Sequence, residues 1–389
     1  MTSPPDPSPA AKPGRDLRVD FFRGVALWFI FITHTPGNLL VYGTLRNVAF
    51  SDATETFVLL AGYAAGIAYG RMLEREGWIS AAARIVGRIG TLYVAHIFLF
   101  VVFAAQVGYS AAALNQAAYL DELHLDPFSA EPYRALLEAL LLRYQPAFLD
   151  ILPLYIVVLG LFALVLPLVE RPRWLLGLSF AMYATTRLTG LGLPSWTGGG
   201  WFFNPFAWQL IFAIGVVLGR ADPTRLARYF PWRRSLAVLA VLLLVGAAVV
   251  LNWVWHGPAR GLHPPEWLAA AVASVDKTAL HPVRLASMML MVWLAAHLVA
   301  PAARWLGNPV AAGFVLMGQQ GLPVFCSGIF LSFFGRLVLE QADGLLAQLV
   351  VNVVGLAALL AVAVVSAWYG GDRRRAPKAL PAAPAAASP

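Results

Sequence analysis

Six ionisable side chains stand inside long apolar runs of this chain: His34, Glu55, His96, Asp150, Arg187 and His297. An ionisable group within hydrocarbon costs at least ~2.5–3.5 kcal/mol, so each needs a reason. The run Arg23-Gly-Val-Ala-Leu-Trp-Phe-Ile-Phe-Ile-Thr-His34 is the most informative. Eleven residues separate its two polar ends, close to three helical turns, so Arg23 and His34 share a face about 16 Å apart. Pro36 then removes a backbone donor and disfavours helical geometry at Thr35, and Gly37 loosens the chain further. Irregular backbone at such depth survives only when protein buries it or when it lines a wet cavity. The break therefore points to a cavity at His34.

Arginines offer a second chemistry. Arg84-Ile-Val-Gly-Arg88 leads into an apolar run, with Arg71 and Arg75 close by. Guanidinium forks match phosphate oxygens bidentately, so such a cluster could hold a phosphorylated ligand. Arg71 and Arg75 are accounted for by the excess of basic residues in cytoplasmic loops, whereas Arg88 enters the apolar run itself. His96 and His297 read as structural. His124, His256, His263 and His281 fall in loops without ligand-like spacing, so no metal site is expected. No Walker loop, dinucleotide fingerprint or zinc motif occurs.

The elements that must position these groups follow from composition. The 389 residues are 59% hydrophobic and only 12% charged, with a mean hydropathy of +0.69. Such a chain cannot cover a water-exposed surface, and its apolar runs approach the ~20 residues that cross ~30 Å of hydrocarbon. The sequence predicts an all-α, polytopic integral membrane protein with about ten transmembrane helices, near 24–42, 52–70, 89–109, 148–169, 174–191, 205–220, 235–255, 283–300, 310–334 and 343–369. The five prolines of residues 1–14 mark a disordered N-terminal tail, and the Ala/Pro-rich residues 371–389 a C-terminal one. The membrane domain lies between, at 15–370. The single cysteine, Cys326, forms no intrachain disulfide.

Alternation of charge gives the orientation. With the N-terminus inside, 20 of the 28 Lys and Arg residues fall on cytoplasmic segments and eight outside. That split predicts an N-in, C-in topology and explains the net charge of +8 without nucleic acid as a partner. It also places Glu55, Asp150, Arg187, Asn204 and Gln209 in the same outer half of the membrane as His34. Helix neighbours are not given by spacing, so a shared cavity does not follow from depth alone.

Several blocks carry a resemblance. Asp20-Phe-Phe-Arg-Gly24 before His34, Phe57-Val-Leu-Leu-Ala-Gly-Tyr63 and Arg84-Ile-Val-Gly-Arg88 resemble the first three helices of the membrane-bound acyltransferase 3 superfamily. Ala61 replaces a customary serine, and Gln319-Gln320 stands where a basic or histidine-containing pair is expected. Thr44-Leu-Arg-Asn-Val-Ala-Phe-Ser-Asp-Ala53, Asp150-Ile-Leu-Pro-Leu-Tyr155, Asn204-Pro-Phe-Ala-Trp-Gln209 and Leu322-Pro-Val-Phe325 look more specifically like the OpgC family.

That resemblance implies a multi-pass succinyltransferase of the bacterial inner membrane that decorates a periplasmic glucan or other saccharide. Its donor would be succinyl-CoA or acetyl-CoA, used as a substrate, with no resident cofactor. On that reading Arg23, Arg84 and Arg88 hold the nucleotide phosphates. His34 is the general base for a sugar hydroxyl or a transient acyl carrier, and Glu55 or Asp150 orients its imidazole. Asn204, Gln209 and Arg187 contact substrate. The alternative class is a secondary transporter, which also carries broken helices and buried polar groups. Paired interrupted helices in two related halves would mark it, and no such internal symmetry is visible.

Overall fold

The computed structural model describes residues 16–301, 303–342 and 344–375. The tail read at 1–14 lies outside them, as does 376–389. Among the described residues the structure is helical, with one isolated bridge between Pro194 and Gly200. In chain order the α-helices are α1 (Leu17–Thr33), α2 (Leu45–Val48), α3 (Ala53–Ala113), α4 (Ala118–Glu122), α5 (Asp126–Ala130), α6 (Pro132–Leu140), α7 (Ile151–Val165) and α8 (Pro172–Thr189). They continue as α9 (Pro205–Arg220), α10 (Pro223–Tyr229), α11 (Arg234–His256), α12 (Glu266–Ala273), α13 (Pro282–Leu298), α14 (Pro309–Gln319), α15 (Gly321–Gln341) and α16 (Leu345–Arg375). Five helical stretches are long and apolar enough to cross a membrane: α3, Ile151–Glu170, α11, α15 and Leu345–Gly371. Helices α9, α13 and α14 are apolar but shorter.

α1 stops where the Thr-His-Thr-Pro run begins, at Thr33, well short of the expected end at 42. A helix leaves its last carbonyls without intrahelical partners. Here three consecutive side chains supply them: Thr33 Oγ1 donates to Phe29 O (2.9 Å), His34 Nδ1 to Ile30 O (2.6 Å) and Thr35 Oγ1 to Phe31 O (2.8 Å). Gly37 then takes a left-handed φ of 80°. The broken backbone is satisfied by amides of α16. Gln348 donates to Gly37 O (2.8 Å) and accepts from Leu39 N (2.9 Å), while Asn38 and Asn352 exchange two hydrogen bonds of 3.0 Å. The irregular segment is thus tolerated because protein surrounds it.

Residues 52–70 and 89–109, read as two spans, fall on the two limbs of α3, helices that meet at a turn at Gly77. The residues between are good helix formers, so the only non-helical position is Gly77, at φ 79°, ψ 174°. Past it the chain returns, bringing Phe103 against Phe333 near the His34 end. The first limb of α3 runs parallel to α9 with almost no gap. A Cβ on Gly62 would lie 2.1 Å from Phe212 O, and one on Gly215 would lie 2.2 Å from Leu59 O. Small residues every fourth position let the two backbones meet, which is how helices associate without a hydrophobic drive between them.

The span expected at 310–334 is two elements. α14 is antiparallel to α1, with Gly318 against Asp20 and Phe314 against Gly24. α15 runs parallel to α1, from Gly321 beside Arg23 to Leu339 beside Gly37. The direction therefore reverses at Gln320. An 11-residue helix spans about 16 Å, too little to cross a bilayer by itself. The amides of Gln319-Gln320, followed by Gly321 and Pro323, mark this reversal and not the middle of a span.

Candidate active site

His34 and Asp150 line the same cavity, of about 480 Å3. His34 caps α1 and its ring meets Phe148 edge-on at 4.4 Å. Phe148 holds the left-handed φ of 73°, an unusual conformation for a bulky residue, and it forms part of the cavity wall. The 2.6 Å bond to Ile30 O requires the proton on Nδ1, so the Nε2 lone pair remains as the acceptor. The group orienting this imidazole is a backbone carbonyl, not the carboxylate of Glu55.

Glu55 is fully buried one turn into α3 and serves a different cluster. It accepts from Arg284 Nε (2.6 Å) and from Asp52 N (2.9 Å), closing a capping box in which Asp52 receives Thr54 N at 2.8 Å. Lys277 Nζ lies 2.7 Å from Asp52 Oδ2 and 3.2 Å from Thr54 Oγ1, while Arg284 reaches the same carboxylate at 3.4 Å. Asp52, Lys277 and Arg284 all line the His34 cavity. None of the three was singled out as a site residue from the sequence. Asp52 stands inside a block already noted for its resemblance, and Lys277 is the sole lysine between Lys12 and Lys378 in a chain with 25 arginines.

Asn204, Gln209 and Arg187, expected to contact substrate, line neither this cavity nor the next. Gln209 donates to Ser179 O (2.8 Å) and ties α9 to α8. Asn204 caps α9 through Phe206 N (3.1 Å) and donates to Leu191 O (2.6 Å). Its backbone N–H, together with Trp208 Nε1, bonds the loop carrying Lys277: Asn204 N to Thr278 O (3.0 Å), Trp208 to Lys277 O and Thr278 O (3.1 Å each). Arg187 pairs with Asp276 at 2.5 Å. Burial opposes ionisation of Asp276, yet the Ala279 N–H and the Arg187 guanidinium hold its carboxyl below the ordinary range. Arg187 and the Asn204 backbone thus anchor the loop that carries Lys277, while Gln209 joins two helices.

A second cavity, of about 230 Å3, is lined by Arg23 and Arg88 together with Ala61, Tyr69, Tyr155 and Gln319. Arg23 donates to Leu60 O (2.9 Å) and lies 4.0 Å from Asp20. Arg84, the third arginine expected to bind phosphate, is exposed and lines neither cavity. Ile151 and Phe325 belong to the walls of both cavities, and Phe57 stacks on Phe325 with ring centres 6.2 Å apart. The Arg23–Arg88 cavity and the His34–Asp150 cavity thus lie back to back, with an aliphatic and an aromatic side chain forming the wall between them. Among the described residues no group of three or more His, Cys, Asp or Glu side chains could hold a metal ion.

The helices and the two facing cavities define a membrane protein with a polar chamber next to a pair of arginines. A family model described as OpgC protein matches residues 15–371, and the chain belongs to that family. Membership implies a membrane acyltransferase of the glucan-modifying kind. No curated protein and no solved structure matches the chain.

Proposed function

We propose that this protein is an O-acyltransferase of the bacterial inner membrane that moves a succinyl group from cytoplasmic succinyl-CoA to a hydroxyl of a periplasmic glucan. The observation that carries the reading is the shared wall at Ile151 and Phe325. An arginine pair on one side of that wall and an oriented histidine on the other support a donor that reaches from the first cavity into the second. With both termini cytoplasmic, Arg23 and Arg88 face the side where acyl-CoA occurs, and the His34 cavity faces the glucan. A pantetheine arm is comparable in length to the ~16 Å that eleven helical residues put between Arg23 and His34.

In this scheme Arg23 and Arg88 hold the donor phosphates, and the thioester arrives beside His34. Nε2 accepts the proton of a sugar hydroxyl as its oxygen attacks the thioester carbonyl carbon. The new C–O bond forms, the C–S bond breaks, and the proton passes from the imidazolium to the departing thiolate, leaving a sugar ester and free coenzyme A. Asp150 stabilises the imidazolium while it exists, and the Ile30 carbonyl keeps the ring in register. The aromatic faces of Trp255 and Phe203 in the same cavity suit a sugar ring, with polar groups fixing its orientation.

The test is mass spectrometry of periplasmic glucans from a host lacking its own transferase, carrying an empty vector, this protein or its His34→Ala form. A succinyl increment with the intact protein alone is the expected result. An acetyl increment changes the donor and keeps the mechanism. No increment on any glucan despite good membrane expression would remove the reading.

A further inference from the structure

The charge cluster beside the His34 cavity, three of whose four members line it, has more donors than it uses within itself. Asp52 and Glu55 face Lys277 and Arg284, so the cluster is balanced, two against two. An ammonium carries three N–H donors. Two of those on Lys277 go to Asp52 Oδ2 and Thr54 Oγ1, which leaves one without a hydrogen-bond acceptor, the ammonium lying 5.4 Å from the centre of the Phe203 ring. Lys277 is 26% exposed and lines the cavity, so this last donor has access to a ligand. It lines the same cavity as His34 and Asp150.

The position is built. Trp208 and Asn204 hold the backbone at Lys277 and Thr278, Arg187 holds Asp276, and Tyr183 donates to Leu280 O at 2.8 Å. Such support is excessive for a lysine whose task is to neutralise Asp52, because Arg284 already reaches that carboxylate. We infer that Lys277 is the residue that selects the acyl group, by donating to a carboxylate at the far end of a dicarboxylic acyl chain whose thioester lies at His34. The inference rests on the acyltransferase reading above. In a four-carbon diacid three C–C bonds of about 1.5 Å separate the reacting carbonyl from the terminal carboxyl carbon. That span stays within one small cavity. Two other cations line the wall, but Arg284 is committed to Asp52 and Glu55 and Arg46 lies over the Trp255 ring at 5.3 Å; around the cluster itself stand Phe50, Phe148, Phe202 and Phe203. A monoacid chain such as acetyl leaves the third donor of Lys277 unused.

The experiment uses the full-length protein in proteoliposomes, with a glucan acceptor and three donors: succinyl-CoA, its terminal methyl ester, and acetyl-CoA. The methyl ester has the same chain with no charge at its end. Wild type is expected to favour succinyl-CoA over the ester by about 10- to 100-fold in kcat/KM, the range of a hydrogen bond to a charged group. Lys277→Gln should bring that ratio close to one, and Lys277→Arg should restore part of it. Equal use of succinyl-CoA and its ester by wild type would overturn the inference without recourse to any variant, as would a Lys277→Gln ratio unchanged from wild type. A Lys277→Gln effect that is equal on all three donors would also overturn it, assigning the lysine to the acceptor or the scaffold. Failure of wild type to transfer from any donor would overturn the acyltransferase reading itself, a result recognisably different from the others.

Discussion

The Nδ1 atom of His34 sits 2.6 Å from the carbonyl oxygen of Ile30, one turn back in the same helix, and this bond fixes the tautomer of the ring. The same carbonyl accepts the backbone N–H of His34 at 3.0 Å. His34 therefore caps α1 through its backbone N–H and Nδ1 and leaves Nε2 for the base role proposed above. His34→Ala should lower transfer by about 10^2- to 10^4-fold, the usual worth of a positioned general base. The measurement is kcat/KM at equal membrane expression, and a loss under tenfold would take the base role away from His34.

Glu55 gives a different expectation. Its carboxylate is spent on Arg284 and the Asp52 backbone, so its removal leaves a buried guanidinium with half its partners. Breaking one side of a buried pair costs about 3–5 kcal/mol, whereas removing both is far milder. Glu55→Gln and Arg284→Gln should each lower the thermal midpoint of the detergent-solubilised protein. The double variant should recover part of the loss, a coupling read directly from the cycle. Strictly additive losses would show that the two side chains do not depend on each other.

The two arginines of Arg84-Ile-Val-Gly-Arg88 separate just as sharply. Arg88 lines the cavity that contains Arg23, and Arg84 is exposed. Arg88→Ala should raise KM for acyl-CoA by about tenfold or more, as expected for a lost charge-assisted contact. Arg84→Ala should leave it within about twofold, since surface charges contribute little. Equal effects of both substitutions on KM would place the phosphate site outside the cavity.

Much of this architecture was legible in the sequence because the bilayer leaves few options. Runs of apolar residues located most helices, and the Pro36-Gly37 pair located the cavity at His34. The Gly77 turn falls beside the charged stretch Arg71-Met-Leu-Glu-Arg-Glu76, which separates the two spans in the sequence. The α14 reversal was harder, because only the amides of Gln319-Gln320 interrupt an apolar run there. The site was legible where one residue had one job. Asp150 and His34 share a depth in the sequence and a cavity in the structure, the second of which depth alone did not give. Asn204 and Gln209 are polar and at the right depth, but they spend their amides on helix ends and neighbouring carbonyls. Depth is a property of one helix, whereas facing a cavity depends on its neighbours. Lys277 was hidden for the opposite reason. It lies in a segment that reads as a loop, and only the contacts from α8 and α9 carry it to His34.

The wall at Ile151 and Phe325 supports the last prediction. Ile151 follows Asp150 at the first turn of α7, so its side chain stands beside the reacting groups while its neighbours Leu152 and Tyr155 face the Arg23 cavity. A tryptophan there would thicken the wall without touching the polar groups on either side. Ile151→Trp should therefore abolish transfer from acyl-CoA while retaining CoA binding at Arg23 and Arg88, measured by CoA-dependent thermal stabilisation. The opposite change, Phe325→Ala, removes the aromatic half of the wall and its stack on Phe57. It should preserve CoA binding yet let water reach the thioester, raising acyl-CoA hydrolysis relative to sugar transfer, because such a wall is what keeps a reactive ester from water. If Ile151→Trp transferred acyl groups at the wild-type rate, the donor would have to reach His34 by another route.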